Sequence, residues 1–190
     1  MLIQDKQIKM KDGRMAILRS PREDDAQGLL DFLKISAEET HFLIRYPEEC
    51  NLTQEQEREW IRNARESDCV YNIICEVDGK IAGNCEVRFI KRIKLSHRGV
   101  IGIALLQPYC SQGIGTAMFE EMIRIAGQRQ GVSILELEFV EGNTRARALY
   151  EKMGFRITGV RPNAIRLRDG TLLNEYAMVR EIRREKGTAR

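Results

Sequence analysis

The run from Val100 to Leu106 is almost unbroken in its apolar character. Such a segment suits a central strand. Apolar residues then recur at Ile114, Ala117, Met118, Met122, Ile125 and Ala126, the spacing of one helix face, and Gly127 to Gly131 closes that helix. Ile134 to Val140 alternates Leu135, Leu137 and Phe139 with Glu136 and Glu138, the period of a half-exposed strand. Ala146, Leu149, Tyr150 and Met153 return to helical spacing, with Asn143 as a cap in front and Gly154 as a stop behind.

The flanks read in the same way. Met15 to Arg19 is a strand ended by Ser20-Pro21, and Asp24 or Asp25 caps a helix carrying Leu29, Leu30, Leu33 and Ile35. Residues 41–52 are irregular. Thr53 followed by Gln56 is a capping box for a charged helix to about Arg65, with Trp60 and Ile61 as its narrow apolar stripe. Val70 to Val77 and Lys80 to Ile90 form a hairpin through Asp78-Gly79. Phe155 to Val160 and Leu172 to Val179 flank a second turn at Asp169-Gly170. Helices mixed among strands, with hairpins between neighbours, predict an α/β fold with a mixed, mostly antiparallel central sheet flanked by helices. No linker divides the chain, so residues 1–182 are expected to form one domain, with a disordered tail at 183–190.

Composition narrows the function. The 190 residues suffice for a real core, and the early charges at Asp5, Lys6, Lys9 and Lys11 leave no room for a signal peptide or membrane span, which predicts a cytoplasmic protein without a membrane partner. A net charge of +3 is too small to argue for nucleic acid. Lys91, Arg92, Lys94, His97 and Arg98 cluster, either as a solvated loop or as an anion site. Five cysteines, an odd number without a CxxC pair, argue against a disulfide framework, and two distant histidines argue against a metal. Cys75 and Cys85 lie in strand patterns and read as core residues.

Candidate chemistry starts at Tyr109-Cys110-Ser111-Gln112-Gly113-Ile114-Gly115-Thr116, between the central strand and its helix. Two glycines let the backbone approach a ligand, and the free amides of a first helical turn hold phosphate oxygens. A nucleotide-binding module would use such a turn with GxGxxG or a Walker lysine, and neither is present. After the next strand comes Asn143, with Ala146, Leu149, Tyr150, Glu151, Lys152, Met153, Gly154 and Phe155. The GxG turn and the N-xx-A-xx-LYEKMGF helix together resemble the GNAT superfamily of N-acetyltransferases, and the likeness covers nearly the whole chain. One position departs from the pattern: Cys110 stands where the family usually has Arg or Gln.

The resemblance implies an acyl-CoA N-acyltransferase fold and direct transfer of acetyl from acetyl-CoA, as cosubstrate and without a metal, to a primary amine. The amine belongs to a small molecule, a peptide or a protein. A homodimer is compatible with the sequence. The resemblance further implies a V-shaped gap after the central strand. There, Leu105, Leu106 and Gln107 line the pantetheine arm, a bulge frees a backbone amide for the oxyanion, and Gln112, Gly113, Ile114, Gly115 and Thr116 cradle the pyrophosphate. Asn143 then contacts the arm, and Tyr150 is the acid for the departing thiolate. For the base, Glu86, His97 and the pair Glu136 and Glu138 stay open, and a solvent route is equally compatible. The acceptor wall would come from Glu38 to Arg62 and Arg161 to Glu175, with Glu38, Glu39, Glu48 and Glu49 attracting a cation beside Phe42 and Tyr46. A non-catalytic acetyl-CoA sensor or interaction module is the alternative.

Overall fold

The computed structural model describes residues 2–182; the expected tail at 183–190 lies outside the described residues. Strands β1 (Lys6–Lys9) and β2 (Met15–Arg19) open the chain, followed by helices α1 (Ala26–Glu39) and α2 (Gln54–Glu66). Strands β3 (Val70–Val77), β4 (Lys80–Phe89) and β5 (Arg98–Leu105) lead to helix α3 (Ile114–Gln128). Strand β6 (Ile134–Val140), helix α4 (Thr144–Lys152) and strands β7 (Arg156–Arg166) and β8 (Leu172–Glu181) complete the order. The strands form one sheet in the order β1-β2-β3-β4-β5-β6-β8-β7. Among the described residues, β5 and β6 are the parallel neighbours and the other neighbouring pairs are antiparallel.

The periodic segments fold as their patterns predict. Asp78 and Gly79 both take positive φ, 50° and 75°, the turn whose twist matches a two-residue hairpin. The Thr53–Gln56 capping box forms in both directions, with Thr53 Oγ1 accepting from the Gln56 amide at 3.2 Å. β1 escaped sequence reading because Lys-Gln-Ile-Lys has one half-buried position and no alternation to detect. Asp25 stands at the α1 N-cap without capping it. Its carboxylate instead holds the buried Arg19 guanidinium through two bonds of 2.7 Å, while Glu76 takes the other side of the same group at 2.7 Å. This fork ties the start of α1 to β2 and β3, and the paired charges make burial of the arginine tolerable.

Side-chain alternation sorts the core into two layers. Ile73, Cys75, Cys85, Val87, Phe89, Leu135 and Leu137 point to one face and pack with Ile114, Met118, Phe119 and Met122 of α3. Ile74 points to the other face, under Ala26 and Leu29 of α1 and Ile61 of α2. Cys75 and Cys85 are buried as expected, and burial pushes the Cys75 thiol up to about 12. The second face is only partly filled, and its polar residues on β3 to β6 form the floor of a cleft.

Close packing is strictest where β5 and β6 meet. Gly99, opposite Leu135, is buried, and a Cβ there would stand 2.9 Å from Leu135 Cδ2 and 3.1 Å from the Phe89 ring. Gly99→Ala is therefore expected to lower stability by about 1–3 kcal/mol through overpacking, read as a fall in the urea midpoint with an unchanged slope.

Candidate active site

The site begins with two strands that part. β5 and β6 share rungs only from Arg98–Ile134 to Val100–Glu136. Beyond them β5 follows β4 as far as Leu105, while β6 follows β8 as far as Val140. The Leu106 amide donates to Ala82 O at 3.0 Å, so the even-numbered residues of β5 turn their backbone groups to β4. Ile103 and Leu105 consequently turn theirs toward the gap. The expected bulge is not in this ladder, whose register runs unbroken from Gly83–Leu105 to Phe89–Gly99. The irregularity lies on the far side of β4, where Cys75 pairs with Gly83 and Glu76 with Ile81, leaving Ala82 extra. Divergence of the strands, not a bulge in β5, leaves these amides unpaired by the sheet. The Gln107 amide is occupied as well, donating to Glu39 Oε2 at 2.7 Å, while the Gln107 side chain donates to Glu39 O at 2.9 Å.

At the open end of the gap the chain turns into α3. Ser111 and Gly113 take φ of 62° and 93°, and Gly113 is the N-cap. The turn is pinned from a distant part of the chain: Lys11 donates to Gln112 O at 3.2 Å and the Asp12 amide to Gln112 Oε1 at 3.1 Å. Gly113 faces open space, whereas Gly115 lets α3 approach, since a Cβ there would lie 2.9 Å from Leu149 Cδ2 and 3.4 Å from Leu105 Cδ1. The amides of Ile114, Gly115 and Thr116 belong to the first helical turn and point outward along the helix axis. Lys152 Nζ donates to Thr116 Oγ1 at 3.3 Å and brings a cation beside them. The Cys110 thiol is turned inward to Leu106 O. Open amides, a left-handed glycine and an adjacent ammonium fit a pyrophosphate.

A cleft of about 1200 Å³ runs from the gap across the α1–α2 face of the sheet. Tyr150, Asn143, Leu105, Gln107 and Glu86 line it. Tyr150 is 7% exposed, packed against Phe119 and Phe139 with ring centroids 5.4 Å and 5.9 Å away, and this burial pushes its hydroxyl up to about 12. Asn143 Oδ1 accepts from the Ala146 amide at 3.2 Å, so it caps α4 and leaves its amide nitrogen available. Glu86 stands across from Asn72 on β3 and Gly102 on β5, and pairs with Arg88 at 2.8 Å. Glu136 pairs with Arg98, and Glu138 with Arg161. His97 is in the turn before β5, where its carbonyl accepts from the Ser133 and Ile134 amides, and it is not among the residues lining the cleft. The structure thus brings Tyr150, Asn143, Leu105 and Glu86 to one cleft and leaves His97 aside.

The acceptor end differs from expectation in its charges. Glu39 is committed to Gln107, Glu49 accepts from the Tyr46 amide at 2.6 Å, Glu48 pairs with Arg168, and Glu38 is exposed. Phe42 does form a wall, with its ring 3.6 Å from the position of a Cβ on Gly142. Tyr46 acts as a clasp: the Arg168 amide donates to its hydroxyl at 3.1 Å and the Arg168 guanidinium lies 4.0 Å from its ring centroid. Three lining residues escaped sequence reading. Asn72 is 5% exposed, and a lone asparagine inside the apolar run of β3 is a signal that was available. Glu57, 3% exposed, is hidden in a helix of many charges, and Arg45 in an irregular segment. Burial raises the Glu57 carboxyl above its usual range, and the nearby Arg45 charge opposes that rise.

The chain is similar to known proteins. The L-amino acid N-acetyltransferase AaaT of Escherichia coli (strain K12) is 26% identical over 121 residues, 64% of this chain and 74% of that protein. The ribosomal protein bS18-alanine N-acetyltransferase of the same strain is 35% identical over 81 residues, 43% of this chain, which spans about half the length of that relative at 54%. The crystal structure of a GNAT-family acetyltransferase from Streptococcus pneumoniae superposes with a TM-score of 0.82 at 26% identity, covering 88% of this chain and 99% of the other. Residues 32–155 match the acetyltransferase (GNAT) family from α1 to the end of α4, the stretch that contains the parting strands, the glycine turn and Tyr150; the chain belongs to that family.

Proposed function

We propose that this protein transfers an acetyl group from acetyl-CoA directly to a primary amine of a small molecule or a peptide, with the cleft between the parting strands as the reaction chamber. One observation carries the reading: the gap between β5 and β6, lined by unpaired backbone, ends at the amides of a helix N-terminus. A pantetheine arm suits the first feature, by pairing with a strand edge, and a pyrophosphate suits the second. The relatives named above act on an L-amino acid and on an alanine of ribosomal protein bS18, and an amino acid and a peptide or protein are the two acceptor classes proposed.

Acetyl-CoA, when bound, supplies a thioester whose carbonyl carbon the amine nitrogen attacks; a C–N bond forms and the C–S bond breaks. The backbone N–H of Leu105, with that of Ile103 beside it, faces the gap and is the donor set for the oxyanion. Clamping of Leu105 between Gly83 and Gly115 keeps this donor in place without rearrangement. Glu86 receives the proton of the amine, directly or through water, from the floor of the acceptor side. Tyr150 is protonated at neutral pH, burial pushes its hydroxyl further up to about 12, and it gives its proton to the departing sulfur. Asn143 offers its free amide nitrogen to the arm, and Lys152 with the amides of 114–116 neutralises phosphate charge.

Thiol release from acetyl-CoA across a panel of amino acids, peptides, polyamines and amino sugars tests the activity, with calorimetric CoA binding beside it. Tight CoA binding without release for any amine would replace the transferase by a CoA-binding sensor. Tyr150→Phe is expected to lower kcat by about 10²-fold, in the range of general acid contributions, with CoA affinity retained; an unchanged kcat would remove the acid role. Because the hydroxyl is pushed up to about 12, the pH–rate profile is expected to show no fall from Tyr150 through about pH 10. The same burial contributes stability that is present below the ordinary tyrosine value and is lost as pH rises through about 12. Gly113→Val is expected to weaken CoA binding by about tenfold or more, since φ of 93° disfavours a β-branched residue and its side chain would stand before the amides; calorimetry reads this as a raised Kd.

A further inference from the structure

The acceptor end of the cleft holds polar groups that the protein itself does not satisfy. Both side-chain atoms of Asn72, Oδ1 and Nδ2, are buried without a hydrogen-bond partner. The Nε of Arg45 is likewise buried and unpartnered. Both residues line the cleft, as does the buried Glu57. Among the described residues, no carboxylate lies within ion-pairing distance of Arg45, although Glu57 is near enough to feel its charge. Unsatisfied buried donors are costly in a native protein and are tolerated where a ligand completes them. An asparagine that turned both its atoms to nothing would be a poor choice for the middle of β3, between Tyr71 and Ile73.

Most of the other charges lining the cleft are paired, and Arg145, the remaining lining arginine, is exposed. Glu86 is paired with Arg88, Glu136 with Arg98, and both Glu138 and Glu175 with Arg161. Arg45 is therefore the cation of this face with a buried donor to spare. A carboxylate is the ligand group that accepts from a guanidinium Nε and from an amide Nδ2 together. Asn72 is the direct cross-strand neighbour of Glu86, about 4.8 Å away across the sheet. Arg45 and Asn72 line the same cleft, and a ligand whose carboxylate reached both would hold a nearby amine toward Glu86 and the gap.

We propose that Arg45 and Asn72 form a carboxylate subsite, and that the acceptor is a free amino acid carrying its amine beside its carboxylate. This rests on the transferase reading and narrows it. A peptide N-terminus presents a neutral amide at the position where the subsite calls for an anion, and a polyamine presents a cation.

The experiment compares each free L-amino acid with its own carboxamide and with a dipeptide that begins with the same residue, using thiol release by the full chain. Free acids are expected to exceed their carboxamides by at least about tenfold in kcat/KM, the range for a hydrogen bond to a charged group. Arg45→Met is expected to raise KM for the acid by about tenfold or more while kcat and the carboxamide rate change little. Arg45→Lys, which keeps the charge, recovers part of the difference, and Asn72→Ser, which removes no existing bond, gives the same shift if Arg45→Met fails to fold. Carboxamides or dipeptides that equal or exceed the acids, or an Arg45→Met variant that slows both alike, would overturn the subsite while leaving the transferase intact. No release with any amine would overturn the transferase and the subsite together, and the two failures are told apart by that result.

Discussion

The parting of β5 from β6 is the constraint on which the site depends. Three rungs of parallel pairing hold the two halves of the sheet together at Arg98–Val100 and Ile134–Glu136, and then the halves follow different partners. The separation costs the backbone groups of Ile103 and Leu105 their neighbours in the sheet, and a strand edge with unpaired groups is a template for an extended ligand. α3 packs on one face of the sheet, and α1 with α2 covers β3 and β4 on the other. The buried fork of Arg19 with Asp25 and Glu76 sets where α1 begins, and so where the acceptor face of the cleft is roofed.

Two kinds of group meet across this gap. On the α3–α4 side stand hydrogen-bond donors that suit phosphate and a buried phenol whose hydroxyl is pushed up to about 12. On the α1–α2 side stand carboxylates held in ion pairs, together with an arginine and an asparagine that have donors to spare. The division follows from strand alternation alone: the odd residues of β4 and β5 pack under α3, and the even ones, Glu86, Gly102 and Ala104, reach the acceptor side. One residue of register would exchange the two environments.

Most of the frame was legible because its signals are local. Asp78-Gly79, the Thr53 capping box, the alternation of β6 and the Asn143 cap each depend on residues within a few positions of one another. The glycine turn and the LYEKMGF helix were legible as a combination. What stayed hidden depends on contacts between distant segments. The Lys11 and Asp12 bonds to Gln112 join residues about a hundred positions apart. The expected β5 bulge proved to be an extra residue on β4, because a register shift belongs to a pair of strands and neither sequence announces it. The acidic residues Glu39, Glu48 and Glu49 read as bait for a cation, yet Glu39 and Glu48 each hold a distant segment and Glu49 caps its own turn. The number of acids in this stretch does not reveal their contacts, and Arg45, which no pattern marked, is where the unspent donor lies.

Leu105 has a further consequence for how this fold changes over time. Its side chain occupies the space that a Cβ on Gly83 would need and touches the position of one on Gly115, so three positions on β4, β5 and α3 share one volume. A mutation at any one of them alone either overlaps its neighbours or leaves a void under the glycine turn. Relatives of this chain are expected to keep the trio or to exchange its members as a set, for instance a smaller residue at 105 together with alanine at 83. The evolutionary freedom of the acyl-donor side is thereby coupled across three elements, whereas residues 45 and 72 on the acceptor side can diverge singly as substrates change.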